Sequence, residues 1–524
     1  MQKTRLKILL TKELHGSWGI VMLAVGIIAG VVLGLALRIN YFGSVWWLVL
    51  VAIIFFIMFV NPKLISVGSM LIAGMILAFF RVATDLSGGN YIQNLTGEAI
   101  IVTGAVSGDP VTDESSTTLK LTNLSFGPDC DIWASTEPEP TFNPPPSSIC
   151  HSGSGQLYVS LSRHEEISRG DRLILQGELL GGFGTYAGYL YRPKIIKLAR
   201  PTPGDWVLNI RNWFAERIRR LIGAPEVDLG LSYLLGMKTG LPDDLSSNLR
   251  TVGLVHIVVA SGAHLSILVE IAKKLFGKIS RMTGLLAASL FIFFFMSMVG
   301  WTPSILRAGI MAFLTLLAGF TGRKIAPWRI ILLVAAGTLL ISPMFVIDLG
   351  WLLSFASFTG IMILGPKFTH FFYGSRPPGF IGSTILTTVA ATIMTLPIVI
   401  YYYGQISLIS VVANLLILPT LPYAMGLTFL TGAIADIPIV NIIISWLATK
   451  LLDFHIATVN FFSNLSQFLF TTDPYNPWVF ALYAIVIIGL LIEKVVKLKQ
   501  VNNIGAKLCQ DTANGPPPSV KKPS

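Results

Sequence analysis

The chain has 524 residues, of which 53% are hydrophobic and only 12% charged. So few charges exclude a water-soluble globular protein and point to a helical membrane protein. The net charge of +11 then reads chiefly as lysine and arginine gathered in cytoplasmic loops rather than as a nucleic-acid surface.

In chain order, the N-terminus carries Lys3, Arg5, Lys7 and Lys12 without an acid and is assigned to the cytoplasm. Three spans are expected near 18–37, 45–60 and 64–80, within residues 1–84. The first, GIVMLAVGIIAGVVLGLALR, reads as a span rather than as a secretory signal, because it is long, another span follows closely and no small-residue cleavage site is evident. Three crossings put residues 85–205 outside the cytoplasm.

That outer segment changes period. IIVTGAVSGD, TTLKLTNLSF, GQLYVSLSR, DRLILQGELL and PKIIKLAR are short runs rich in β-branched and aliphatic residues, punctuated by Gly, Asp and Pro. Five strands fit a small OB-like β-barrel, with a two-sheet sandwich as the alternative. Cys130 and Cys150 flank a proline-rich insertion. On the outer side they are placed to form a disulfide worth roughly 3 kcal/mol, while Cys509 stays a reduced cytosolic thiol. The region 97–205 holds eight Lys and Arg against thirteen Asp and Glu, a net charge of −5, which argues against a general DNA-binding surface. A local stripe remains. Arg192, Lys194, Lys197 and Arg200 run beside Tyr186, Tyr189 and Tyr191, and aromatics beside cations suit single-strand stacking. An ordinary solvated barrel edge explains the same residues.

Residues 206–252 read as an interfacial amphipathic helix followed by short helices. Trp206, Ile210, Trp213, Phe214, Ile218 and Leu221 lie near one side, with Arg211, Arg217, Arg219 and Arg220 elsewhere. Spans follow in 253–496, near 253–272, 283–300, 304–321, 328–342, 346–365 and 380–400. Next come a region at 406–436 broken by Pro419 and Pro422, then 440–462 and 477–496. A basic cytoplasmic tail, 497–524, ends the chain. About twelve transmembrane helices result, with both termini in the cytoplasm.

Polar groups within these spans need partners or water. A helix over 253–272 would be about 29 Å long. At about 100° per residue it would gather His256, Ser261 and His264 on one side, with Gly262 allowing close approach or a bend. The alternative is two histidines satisfied by packing. Arg307, in WTPSILRAGIMAFL, either snorkels to the outer interface or faces the bundle interior. Asp348 opens DLGWLLSFASFTG as a cap, and Ser354 follows as polar glue. Lys450 and Asp453 are spaced to pair on one helix face near His455. GxxxxGK[ST] and HExxH are absent, so neither a P-loop motor nor a zincin site is expected. No metal and no cofactor is expected.

These stretches, in this order, resemble the ComEC family of competence proteins. LLGMKTGLPDDLSSNLRTVGLVHIVVASGAHLSIL contains a His-(x)4-Ser-Gly-x-His pattern at His256, Ser261, Gly262 and His264. WTPSILRAGIMA matches a second signature through Pro303, Ser304, Arg307 and Ala308, and Asp348, Gly350, Ser354 and Phe355 match a third. SRGDRLILQGELL with FGTYAGYLYRPKI is similar to the family's OB-type domain. The resemblance implies a channel carrying single-stranded transforming DNA across the cytoplasmic membrane, gated or lined by the residues just named and not itself an enzyme. It implies an ATP-driven cytosolic motor and a DNA receptor as partners, besides membrane lipid. Family members often end in a metallo-β-lactamase-like domain. Its His-x-His-x-Asp-His motif is not found here, so any nuclease step is expected in another protein or not at all. A secondary transporter of a small anionic solute is the competing expectation.

Overall fold

The structure is a computed structural model that describes residues 17–37, 64–112, 116–127, 151–153, 155–162, 167–183, 185–200, 206–237, 240–254, 257, 262–322, 326–374, 376–403, 405–407, 409–465 and 469–471. The basic N-terminus, the expected spans at 45–60 and 477–496, the tail, Cys130, Cys150, Cys509, His256 and Ser261 lie outside the described residues.

Seven described helices are long and apolar enough to cross a membrane, which makes this a multi-pass membrane protein. The first pair is α1 (Ser17–Ala36) and α2 (Leu64–Asn94). Small residues let them meet at backbone distance. A Cβ on Gly26 would collide with the Leu71 carbonyl, and one on Gly74 with the Leu23 carbonyl. Helix α2 continues well past its expected end at residue 80. Its last turn places Ile92 in the core of the β domain, beside Leu157 and Leu190. The boundary expected at 84–85 therefore falls inside one continuous helix, because an apolar residue at its tip seals the β-domain core.

The β domain comprises β1 (Ala99–Val106), β2 (Val111–Thr112), β3 (Ser116–Phe126), β4 (His151–Gly153), β5 (Leu157–Ser162), β6 (Arg172–Gly181), β7 (Gly188–Tyr191) and β8 (Lys194–Ala199). A closed five-stranded barrel runs β1-β3-β5-β7-β6 and back to β1. Its pairings are antiparallel except β5 with β7. Four of the five expected strands are in the ring. The fifth is not PKIIKLAR but the short GYLY, and the PKIIKLAR strand, β8, pairs with β6 alone. Strand β7 is too short for an alternation signal, and its closing role comes from a parallel partner distant in sequence.

Helices α3 (Trp206–Arg219), α4 (Glu226–Leu235) and α5 (Asp243–Val252) follow. Helix α3 leaves Trp206, Ile210 and Trp213 exposed and buries Val207, Leu208, Arg211, Ala215 and Ile218. Arg211, expected on the polar side, is thus inside. The described residues do not carry one helix from 253 onward. Gly253 caps α5 in the left-handed region, Leu254 is outside any helix, and α6 (Gly262–Phe276) begins at Gly262.

The bundle continues with α7 (Arg281–Val299), α8 (Pro303–Phe320), α9 (Pro327–Ile341), α10 (Leu349–Tyr373) and α11 (Phe380–Tyr403). Pro303 and Pro327 sit in first turns, where a missing N–H costs nothing. Arg81 of α2 satisfies the end of α9, donating to the Leu340 and Ile341 carbonyls at 2.9 and 2.8 Å. The 406–436 region is broken as its prolines suggest, into α12 (Ile409–Ile417) and α13 (Leu421–Ala433). Before them β9 (Gln405–Ser407) pairs with β10 (Leu469–Thr471), and α14 (Pro438–Ser463) packs against α13, α5 and α4. On α14, Lys450 and Asp453 do pair, at 3.3 Å. His455 is fully buried, with Nε2 2.8 Å from the Thr420 hydroxyl.

Candidate nucleic-acid path

Three helices meet around Gly262, Ala308 and Phe358, beside Arg307. Gly262, first residue of α6, would place a Cβ 3.6 Å from Ala308 of α8 and 4.0 Å from Phe358 of α10. His264, one half-turn further, is fully buried. Next to Ala308, Arg307 is only 2% exposed. Its guanidinium carbon lies 4.9 Å from the Phe358 ring centre and 5.5 Å from that of Phe355, and Nη1 approaches the Met311 sulfur at 3.8 Å. So Arg307 does not snorkel. It is held inside the bundle by two aromatic faces, with Nε lacking an acceptor and no acidic partner among the described residues. An unpaired cation kept from water is costly, and stacking offsets only part of that cost. The arrangement is a standing attraction for an anion.

The remaining candidates divide. Ser304, in the first turn of α8, is half-buried near Arg307 in sequence. Asp348 caps α10, its carboxylate accepting from Trp351 N at 2.8 Å, so its charge serves the helix start rather than the interior. Ser354 is half-buried on the same helix.

The barrel carries a second group. Tyr186, Tyr189 and Tyr191 join Tyr158 and Phe183, with neighbouring ring centres 5.2 to 6.2 Å apart. Lys120 lies 5.3 Å over Tyr186, and Arg192 5.3 Å over Tyr191. Phe183 and Tyr191 are about half exposed. The cluster arises from register: Lys120 pairs across with Tyr158, and Tyr158 with Tyr189. Sequence reading missed Lys120, Tyr158 and Phe183. Period-two alternation in GQLYVSLSR, which turns Leu157 and Val159 inward, was the signal for Tyr158. The rest of the basic stripe, beyond Arg192, is elsewhere. Lys194 and Lys197 are exposed on β8, and Arg200 pairs with Asp171 at 3.7 Å.

A family model described as "Competence protein" matches residues 233–497, just over half of the chain. The chain belongs to that family. The match spans the segments with His264, Arg307 and Asp348, whereas the barrel lies before it. Over 205 residues the chain is 22% identical to ComE operon protein 3 of Bacillus subtilis (strain 168), covering 39% of this chain and 26% of that relative. Over 162 residues it is 25% identical to an uncharacterized protein of Aquifex aeolicus (strain VF5), covering 30% and 38%. The chain thus aligns with well under half the length of either relative. No solved structure matches it.

Proposed function

We propose that this competence-family protein passes single-stranded transforming DNA across the cytoplasmic membrane. The observation that carries the reading is Arg307, a buried cation paired with ring faces instead of a carboxylate at the meeting of α6, α8 and α10. A phosphate-bearing chain is the kind of ligand such a site attracts. Arg307 alone would equally attract a small anionic solute. The five-ring cluster beside Lys120 and Arg192 favours a strand with bases to stack.

In this proposal the barrel is of the OB type and lies outside the cell membrane, with about twelve crossings and cytoplasmic termini. The strand order, with its single parallel pair, supports the OB label. His256, Ser261, Gly262, His264 and Arg307 line or gate the route. The protein works as a channel and not as an enzyme, with a cytosolic ATP-driven motor, a DNA receptor and a separate nuclease as partners. Deleting the chain from a transformable host tests this. Loss of transformation with surface DNA binding intact supports it, and unchanged transformation removes it.

A further inference from the structure

The barrel is fastened to the bundle by two arginines that share one helix end. Arg169, in the loop before β6, donates to the Ser297 and Met298 carbonyls at 2.9 and 3.1 Å. Arg211 of α3 donates to Met298 O at 3.0 Å and grips Asp109 of the barrel with both terminal nitrogens, at 2.6 and 2.9 Å. These carbonyls close α7, and only Gly300, Trp301 and Thr302 separate it from α8, which carries Arg307.

At this junction lies a cavity of about 300 Å³ whose wall includes Asp109, Arg169, Arg211, Asn212, Glu216 and Arg219. Three guanidinium groups and two carboxylates line it, with a third carboxylate, Asp228, behind Arg219. Arg211 is 4% exposed, and its Nε–H has no acceptor among the described residues. Arg219 reaches Glu216 only at 3.4 Å and Asp228 at 3.7 Å, looser than a strong charge-assisted bond.

We propose that this cavity is a phosphate-binding site, taking a phosphodiester of the transported strand as it leaves the barrel for the bundle. The inference rests on the DNA-passage reading for its occupant, but not for its chemistry. A phosphate on Arg219 and Arg211 competes with Asp109 for Arg211. Occupancy thereby loosens the barrel from the end of α7, three residues from the helix of Arg307. Arginine forks match phosphate oxygens two at a time, which suits them to this exchange.

The test uses the full-length protein in detergent at low salt, titrated with inorganic phosphate by calorimetry. One saturable site per chain is expected. Asp109→Asn removes the competing charge and should tighten phosphate binding roughly tenfold, and Arg219→Gln should weaken it by a similar factor. Glu216→Gln, which leaves the barrel contact alone, should tighten binding too and serves if Asp109→Asn fails to fold. Absence of saturable binding, or binding unmoved by these changes, overturns the site. An oligo(dT) strand should displace phosphate. Displacement by phosphatidylglycerol vesicles but not by oligo(dT) overturns the strand as occupant. Because these readouts need no transformation, they fail separately from the deletion assay.

Discussion

Arg307 stands 4.9 Å over the ring of Phe358 and 5.5 Å over that of Phe355, and the Phe355 contact joins the second and third sequence signatures inside the bundle. The pairing leaves a cation without a carboxylate among the described residues, so replacing either side has a distinct effect. Arg307→Leu should abolish DNA uptake while the protein still reaches the membrane, and it should raise thermal stability or leave it unchanged, since a costly buried charge is gone. Phe358→Leu keeps the charge and loses a desolvated cation–π contact worth about 2 kcal/mol. It should lower the melting temperature in detergent. Transformation frequency and melting curves on the same two variants check the pair, and unaltered uptake in Arg307→Leu removes the residue from the mechanism.

The barrel face makes a different prediction, because stacking and charge respond differently to salt. Tyr158→Ala or Phe183→Ala should weaken binding of an oligo(dT) strand by roughly 1–3 kcal/mol with little change in the salt dependence. A Lys194→Gln, Lys197→Gln double change removes two cations that stand on β8, off the ring cluster. It should reduce the slope of affinity against salt and weaken binding less at high salt. Filter-binding curves at several salt concentrations separate the two. Equal salt slopes in all variants would leave the strip of lysines without a role.

What could be read ahead of the structure follows physical lines. Spans such as 283–300 were legible because a lipid-crossing helix needs a long apolar run. Arg307 was legible as anomalous for the same reason, although its ring partners were not, since Phe355 and Phe358 are ordinary residues for a span. Strand β7 escaped because four residues cannot display alternation, and its parallel bond to β5 is a tertiary fact. Arg211 was assigned to the wrong side for a related reason. Helical periodicity sorts charge to the surface, but a bidentate carboxylate and a helix-end carbonyl can hold an arginine inside.

Gly26 and Gly74 permit backbone contact between α1 and α2, and their partners are main-chain atoms that cannot rotate away. Gly26→Leu or Gly74→Leu should therefore cost at least the ~1–3 kcal/mol usual for overpacking. Gly68, on the same helix α2, has open space where its Cβ would stand, so Gly68→Ala should be neutral or slightly stabilising. Membrane abundance of the variants, with melting temperature after extraction, distinguishes packing from mere substitution in an apolar helix.

Asp228 on α4 gives the chain a pH dependence of definite sign. Burial holds its carboxyl above the usual carboxylate range, and the nearby Arg219 pulls it back only in part. As pH rises through the ordinary value near 3.8, the unfolded chain releases this proton first, while the folded chain keeps it until the raised value is reached. The folded state therefore binds more protons across that window, and stability contributed by Asp228 falls as pH increases. Below the window the group costs nothing, and above it the full penalty remains. Asp228→Asn should remove this fall, so the melting-temperature difference between variant and wild type should grow from acid toward neutral pH and then level. A difference that shrinks over the same range would mean that Arg219 outweighs burial at this carboxylate.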